Sequence, residues 1–426
     1  MVHIATALFS AGSNARGQLA QGTQEDSHCF RRCVFFENQD NQLLYPGKVL
    51  SVAAGANHTV VLSQPSAGST QLWGCGDGRR GQLGHRYQVE VGTSSVLRRI
   101  DFPEFTEYKI TSIAASWEAS FVALSHPDHG DVLLSTGNDD FGVLGIGSSP
   151  KRTESGFNQV AFENSLSLEY QGLIRILELR TGPHNAICIL SCEEIPGGPT
   201  KVLTVGWGAS RHGQLGISRR PSQIHQAHIS IPTIVPIQGT RACAVGSQHI
   251  VFMSSSCSVM GLGSNRKDQI SNLEKASDVL AVGATWNGSY IVRQDPHSSR
   301  KWTVLATGSN SHGQLASSPD VQTSASGLRT IVFPEDAFRS EFHSLACGSE
   351  HVLFCTRKTN KPGLHVGAEV WGWGWNEHGN LGLGHTDDVL APALIWPQNL
   401  SVENSRVSSV WAGCGTSWIA VEMDNI

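Results

Sequence analysis

The sequence predicts an all-β fold, a seven-bladed β-propeller, on three observations. A glycine-rich phrase of eight residues occurs seven times in the 426 residues, and the copies begin 45 to 71 residues apart. Apolar hairpins alternate with these phrases, and each end of the chain carries only part of a unit. The intervals suit a four-stranded blade and exceed the ~20–50 residues of most solenoid repeats. A closed ring of blades is therefore favoured over an open solenoid.

The phrase starts with glycine and ends with leucine or isoleucine. Its copies are GSNARGQL at Gly12, GDGRRGQL at Gly76, GNDDFGVL at Gly137, GASRHGQL at Gly208, GSNRKDQI at Gly263, GSNSHGQL at Gly308 and GWNEHGNL at Gly374. Glycine permits positive φ and close approach of neighbouring backbones, which crowded blades require. We predict that these seven glycines are structural and that each phrase forms a tight turn.

Seven hairpins of short apolar strands supply the inner part of each blade. They lie at residues 51–62, 112–124, 178–190, 243–253, 281–292, 345–355 and 410–422. The last hairpin has no phrase behind it, whereas the first phrase has only one strand, residues 4–10, before it. Pairing 4–10 with 407–422 would complete a seventh blade and remove two exposed sheet edges. We therefore predict a single domain over residues 1–426, closed by this clasp.

Composition excludes several classes of function. The formal net charge is -5 and no basic tail occurs at either end, which argues against a surface that neutralises phosphates. The N-terminus lacks the pattern of a signal peptide, and no run approaches ~18 apolar residues. We expect a cytoplasmic protein, with the nucleus as a second compartment. The ten cysteines form no CxxC pair, so reduced and mostly buried thiols are expected.

No motif predicts catalysis, a cofactor or a metal site. Residues 76–81 match GxGxxG, but they are in register with six other copies and no amphipathic helix is expected after them. His126 with His129, and His225 with His228, have a spacing usable for metal, although neighbouring turn-forming residues favour solvated loops. HExxH, a Walker phosphate loop and GxSxG do not occur.

The turns of the inner hairpins carry the candidate binding residues. His58, His249 and His351 occupy a GxxH turn, and tryptophans stand at or beside that position in other copies. In a meandering blade these turns and the glycine phrases lie on one face, where exposed tryptophans would form a docking surface. The predicted partner-binding residues are Trp117, Glu118, Trp286, Trp418, Trp375, His58, His249 and His351. In the alternative, each histidine bonds within its own blade and each tryptophan packs on a neighbouring blade.

The order of strand, GxxH turn, strand, aromatic-glycine and N-x-x-G-Q-L resembles the regulator of chromosome condensation family of propeller repeats across the whole chain. Within that family, several segments resemble the fungal alpha-tubulin suppressor or killer-toxin-insensitivity propellers. These are GCGDGRRGQL (74–83), ASWEASFVAL (115–124), EVWGWGWNEHGN (369–380) and AGCGTSWIAVE (412–422). Additions rich in Ser, Pro and Gln at 146–172, 217–232 and 314–341 depart from the pattern and are interpreted as surface loops.

The resemblance implies a non-enzymatic platform that forms a heterodimer with a small four-cysteine metal protein of the CSL zinc-ribbon type. That partner donates electrons for diphthamide synthesis and supports Elongator-dependent modification of the tRNA wobble uridine. Two alternatives remain open. One is guanine-nucleotide exchange on a Ran-like GTPase, and the other is a scaffold propeller for an unrelated client.

Overall fold

The computed structural model describes residues 5–36, 46–148, 151–162, 166, 170, 172–216, 227–295, 298–318, 327–361, 364–397 and 406–423. Seven sheets form the blades of a β-propeller, which confirms the predicted fold class, and their strands pair antiparallel except for Phe35–Phe36, which pairs parallel with Thr93–Ile100. The inner strands of all seven blades line a central channel of about 470 Å³.

The strands follow one another blade by blade, and the N-terminal residues supply three of them. These are β1 (Ala5–Gly12), β2 (Ser27–Arg32) and β3 (Phe35–Phe36). Blade 1 contains β4 (Lys48–Ala54), β5 (His58–Gln64), β6 (Gln71–Asp77) and β7 (Thr93–Ile100), and blade 2 contains β8 (Lys109–Ala115), β9 (Ala119–His126), β10 (Gly130–Gly137), β11 (Lys151–Arg152) and β12 (Asn158–Gln159). Blade 3 contains β13 (Ile174–Thr181), β14 (Asn185–Glu193), β15 (Thr200–Ala209) and β16 (His228–Ile234).

The second half of the ring begins with a shorter blade. Blade 4 contains β17 (Thr240–Val245), β18 (His249–Ser254) and β19 (Val259–Gly263), and blade 5 contains β20 (Val279–Ala284), β21 (Gly288–Asp295), β22 (Ser298–Gly308) and β23 (Arg329–Thr330). Blade 6 contains β24 (Glu341–Cys347), β25 (His351–Lys361), β26 (Leu364–Gly374) and β27 (Val389–Trp396), and β28 (Arg406–Ala412) and β29 (Thr416–Met423) follow. Helical turns comprise α1 (His85–Glu90) and 3₁₀ helices at Pro103–Phe105, Asp140–Gly142, Leu273–Lys275 and Glu335–Arg339.

The two ends of the chain share blade 7. Its strand order is β2-β1-β29-β28, and β1 pairs with β29 from Ala5 opposite Met423 to Gly12 opposite Thr416. The N-terminal strand therefore completes the C-terminal blade, as predicted.

Apolar side chains fill the spaces between blades because the second strands of the blades, such as β5, β9 and β14, are buried on both faces. Between blades 2 and 3, for example, Phe121 and Trp207 lie in one buried cluster, with ring centroids 6.3 Å apart. The indole Nε1 of Trp207 donates to the Val143 carbonyl oxygen at 2.6 Å, which satisfies a buried polar group.

The seven phrase glycines all have positive φ, between 88° and 124°. At each position a Cβ atom would overlap the carbonyl oxygen of the adjacent inner turn, such as that of Asn57 beside Gly76. Glycine is therefore required both by the backbone conformation and by the lack of space.

The interpretation of the three additions as surface loops is wrong for much of their length. Phe157, Val160 and Phe162 in the first addition are buried, and β12 extends the sheet of blade 2. The third addition buries Ile331 and Phe333 between blades 5 and 6. In the second, β16 includes residues 228–232, whereas 217–226 lie outside the described residues. Apolar residues spaced among Ser and Gln produce these outer strands.

A helix does follow the GxGxxG match, contrary to expectation. Helix α1 is only six residues long and buries Tyr87 alone. Gly76 still occupies the same turn position as the other six phrase glycines. The match is thus one more copy of the repeat turn.

Candidate protein-docking face

The inner turns and the glycine phrases lie at the same end of every blade, as the meander predicts. In blade 1, His58 at the end of the inner turn pairs with Gly76 at the start of the phrase. We call this end of the ring the loop face. Its seven inner turns are residues 55–58, 116–119, 182–185, 246–249, 285–288, 348–351 and 413–416. In all seven, the first residue's N–H donates to the fourth residue's carbonyl oxygen, which defines their common register.

The fourth position of the turn holds the three predicted histidines, and the structure corrects their role. His58, His249 and His351 are completely buried, so their side chains have no surface for a partner. Each Nε2 instead lies 3.0–3.1 Å from a serine hydroxyl of the next blade, namely Ser120, Ser289 or Ser417. The alternative of a bond within the same blade is also wrong. Burial lowers the pKa of all three to about 4.

Trp418 is also corrected, because it lies outside the turn. Thr416 takes the fourth position of that turn, and Trp418 is two residues further along β29. Its side chain is completely buried beside Leu8 and Trp73, in the core between blades. Its indole Nε1 donates to the Thr416 hydroxyl at 3.1 Å.

Trp117 and Trp286 occupy the second position of their turns and do reach the loop face. They belong to blades 2 and 5, which blades 3 and 4 separate. Their rings nevertheless meet across the mouth of the channel, with centroids 5.7 Å apart and planes inclined at 46°. Trp117 is 36% exposed and Trp286 is half-buried. Both line the channel on their inner side.

Backbone hydrogen bonds hold these second positions together from blade to blade. The Ala56 N–H donates to Trp117 O, Trp117 N–H to Pro183 O, Ser247 N–H to Trp286 O and Trp286 N–H to Ser349 O, at 2.7–3.1 Å. Pro183 has no N–H, so it cannot continue this series toward blade 4. The two indoles therefore stand on a rigid rim, which limits the entropy lost when a partner binds.

Two further aromatic residues extend the tryptophan pair, and the sequence did not indicate either. The ring of His184 lies 6.5 Å from that of Trp117, and the ring of Phe141 lies 5.0 Å from His184. We call Phe141, His184, Trp117 and Trp286 the aromatic arc. Burial lowers the pKa of His184, and the charges of Asp140 and Glu118 oppose this shift.

Phe141 has a backbone conformation that is unfavourable for its residue type. Its φ is +61°, and its side chain is 49% exposed. The left-handed conformation costs a non-glycine residue about 1–2 kcal/mol, and solvent exposure of an aromatic ring recovers none of it. The alignment of the seven phrases does distinguish Phe141, because the other six copies carry Arg, Lys or His at its position.

Glu118 lies on the loop face and already has partners in the protein. Its carboxylate accepts a hydrogen bond from Asn138 Nδ2 at 3.0 Å and forms an ion pair with Arg80 at 3.3 Å. The guanidinium of Arg80 remains largely exposed. Glu118 thus positions a cation at the edge of the aromatic arc.

Trp375 lies on the same face but away from the aromatic arc, in the phrase of blade 6. It is half-buried, with ring centroids 5.4 Å from His378 and 6.5 Å from His312. The backbone N–H of Trp375 donates to the backbone carbonyl oxygen of Glu350, and its indole Nε1 donates to the Glu377 carboxylate at 3.3 Å. The structure therefore brings together two of the four predicted tryptophans.

Several phrase loops carry exposed cations. Arg79 pairs with Asp77 at 2.7 Å, and Arg80 pairs with Glu118. Arg211, Arg266 and Lys267, on blades 3 and 4, have no carboxylate within 4 Å among the described residues. Asp139, Asp140, Asp268, Glu350 and Glu377 lie in the same phrases and turns, so the loop face carries charges of both signs.

The described residues contain no group of three or more His, Cys, Asp or Glu side chains arranged to hold a metal ion. His126 and His129 stack at 4.4 Å in a hairpin loop, and His225 lies outside the described residues. All ten cysteines are free, and six are buried. Among the residues that the structure describes, no helix has the length and apolar composition needed to cross a bilayer.

The sequence model of the family described as the regulator of chromosome condensation (RCC1) repeat matches residues 7–62 and 368–419. The chain is 24% identical to the secretion-regulating guanine nucleotide exchange factor of Mus musculus, over 98% of this chain and 84% of that protein. It is 25% identical to an RCC1 repeat-containing protein of Schizosaccharomyces pombe, over 97% of this chain and 99% of that protein. The crystal structure of human WBSCR16 superposes with a TM-score of 0.70 at 16% identity, covering 99% and 100% of the two chains.

Proposed function

We propose that this β-propeller of the RCC1-repeat family is a non-enzymatic binding platform whose aromatic arc docks a partner protein. The observation that carries the proposal is the contact between Trp117 and Trp286 across the mouth of the channel, where Trp117 remains 36% exposed. Tryptophan is strongly enriched among residues that dominate binding energy, especially on a rigid surface.

The conformation of Phe141 supports this assignment. A phenylalanine that is both strained and exposed contributes little to the stability of the free protein. Burial of its ring by a partner would recover apolar stabilisation of about 25 cal/mol per Å². Phe141, His184 and the two indoles then act as one continuous apolar contact.

The partner we propose is a small four-cysteine metal protein, as the resemblance to the fungal propellers implies. In this arrangement the propeller covers part of the partner's metal site and regulates its delivery of electrons to diphthamide synthesis and to Elongator-dependent tRNA modification. The complex is a heterodimer that forms in the cytoplasm, and the propeller itself contributes no cofactor.

Calorimetric titration of the purified four-cysteine protein from the same host into wild type, Trp117→Ala and Trp286→Ala tests the docking site. We expect each substitution to weaken binding at least 30-fold, because truncation of a central anchor costs about 2 kcal/mol or more. Val332→Ala is the control, since Val332 is 76% exposed and follows β23 away from the loop face. Unchanged affinity in both tryptophan variants would exclude the aromatic arc as the docking site.

Guanine-nucleotide exchange is a second candidate, because the mouse relative that matches 98% of this chain is named an exchange factor. Release of labelled GDP from a Ran-like GTPase distinguishes the two functions. A platform leaves the release rate at its spontaneous value, whereas an exchange factor accelerates it in proportion to propeller concentration.

A further inference from the structure

Blade 4 lacks a fourth strand, unlike the other six blades. Val279, the first residue of the next inner strand, lies only 16 positions after Gly263, whereas the corresponding difference in residue number is 32 to 37 elsewhere. All residues of this short connection are described. The strand is therefore missing because the chain between β19 and β20 is too short to form it.

The 3₁₀ helix Leu273–Lys275 replaces the apolar contribution of the missing strand. In blade 1, the side chains next to the Cα of Gly74 are Leu83, from the phrase, and Ile100, from the outer strand β7. At the equivalent Gly261 they are Ile270, from the phrase, and Leu273, from the 3₁₀ helix. The core of blade 4 is thus complete, although a helical turn cannot supply the backbone ladder of a strand.

One edge of β19 consequently has no backbone partner among the described residues. β19 pairs with β18 on one side, from His249 opposite Gly263 to Met253 opposite Val259. Its sequence, VMGLG, contains no charge and no proline, and Met260 is 45% exposed. An uncharged apolar edge is a template for another strand, which proteins normally block.

The outer edges of the other blades are blocked in the ways that prevent such pairing. Blades 1 and 2 carry the extra strands β3 and β11, and β23 of blade 5 is two residues long. The outer strands β16 and β27 contain Pro232 and Pro392, and β2 ends in Arg31 and Arg32. Because β19 has none of these blocking features, its edge is available for pairing with another strand.

Exposed cations with no carboxylate of the described residues within 4 Å lie where β19 reaches the loop face, and the charge of Lys267 acts on Glu350 at longer range. Arg266 and Lys267 are exposed three and four residues after Gly263, and Arg211 of blade 3 is also exposed. Burial, followed by the charges of Arg266 and Arg211, lowers the pKa of His212 between them. A strand added to β19 would therefore meet cations at this end.

We propose that β19 is a docking edge at which an extended segment of a partner protein adds the fourth strand of blade 4. The segment alternates apolar residues, one of which covers Met260, and carries acidic residues at the end that meets Arg266 and Lys267. Main-chain hydrogen bonds supply affinity and the charges set the direction of the strand. This site lies on the outer side of the ring and is separate from the aromatic arc. The proposal does not depend on the function assigned to the arc.

Selection of random decapeptides on the full chain, followed by titration of one enriched synthetic peptide, tests the proposal. We expect enriched peptides to alternate β-branched and polar residues and to end in Asp or Glu. Met260→Glu should weaken the peptide at least tenfold, and the double variant Arg266→Ala, Lys267→Ala at least fivefold with a smaller dependence on salt. Hydrogen exchange should show new protection, when the peptide is bound, of those amides in residues 259–263 that do not donate to β18.

Leu394→Glu is the matched control, since Leu394 is 42% exposed on the outer strand of blade 6. It should leave peptide affinity unchanged, and thermal melting should show that every variant remains folded. The proposal is overturned if no peptide is enriched, or if Met260→Glu binds as wild type does. Protection, in the free protein, of those amides in residues 259–263 that do not donate to β18 would assign the edge to the chain itself, and a dimer abolished by Met260→Glu would assign it to a second copy. Either result also overturns the proposal.

Discussion

At the scale of single residues, the side chain at the fourth position of the inner turn connects neighbouring blades. His58, His249 and His351 link each turn to a serine of the following blade, and Asn185 occupies the same position in blade 3. These imidazoles are buried and neutral, so the junctions between blades depend on their remaining unprotonated.

Protonation of these histidines should make stability depend on pH in the acid range. Their folded pKa of about 4 is below the unfolded value of ~6.5, so the unfolded chain binds more protons between these limits. Stability is therefore complete above pH 6.5 and is lost as pH falls toward 4. With three such groups, the free energy of unfolding should fall by as much as about 4 kcal/mol per pH unit near pH 5. Urea unfolding at a series of pH values measures this slope.

His249→Asn isolates one contribution, because asparagine is the natural residue at this position in blade 3. It should reduce the slope by about 1.4 kcal/mol per pH unit, the value of one proton. His385→Asn, at an exposed loop position, serves as the control. Equal slopes in wild type and His249→Asn would show that His249 does not contribute to the acid response.

The prediction of individual binding residues from the sequence failed where it depended on a residue's exact position in the hairpin turn. A tryptophan two positions beyond the turn points between blades, whereas one at the second turn position points into solvent, and the hairpin pattern alone cannot separate these cases. Trp117 and Trp418 were therefore grouped together, although one is exposed and the other completely buried.

At the scale of elements, blade 4 shows how a shortened repeat preserves its core. The 3₁₀ helix brings the Leu273 side chain to the position that the Ile100 side chain takes in blade 1, and only 1% of Leu273 is exposed. The helix is short, but its one buried side chain supplies the core contact that an outer-strand side chain makes in blade 1.

Leu273→Ala should therefore destabilise the protein by about 2–4 kcal/mol, the usual range for a buried leucine. Leu280→Ala on the adjacent strand is the control, because Leu280 is 40% exposed and should cost less than about 1 kcal/mol. Chemical denaturation followed by tryptophan fluorescence compares the two. A similar small loss in both variants would mean that blade 4 does not need this contact.

At the scale of the whole molecule, the ring depends on β1, which pairs with β29 on one side and β2 on the other. Ser10 lies opposite both Trp418 and Arg31, so a proline there removes a ladder bond whichever way its N–H points.

Ser10→Pro should lower the free energy of unfolding by at least about 3 kcal/mol more than Ser10→Ala does. The alanine variant accounts for loss of the hydroxyl, which donates to Leu19 O at 2.7 Å. Thermal unfolding of the two proteins in parallel measures the difference. Equal stability of the two variants would show that the clasp contributes nothing to closure.

The sequence by itself determined the number of blades, the split seventh blade and the face that carries the turns. These follow from local signals, namely glycines that need positive φ and hairpins at regular intervals. Only the tertiary structure decided which tryptophans reach solvent, that two of them meet across the channel from blades 2 and 5, and that β19 keeps an open edge. Such features depend on contacts between residues far apart in the chain, and repeat spacing carries no information about them. The predicted platform therefore rests on the repeats, whereas the proposed docking sites rest on where the folded ring departs from them.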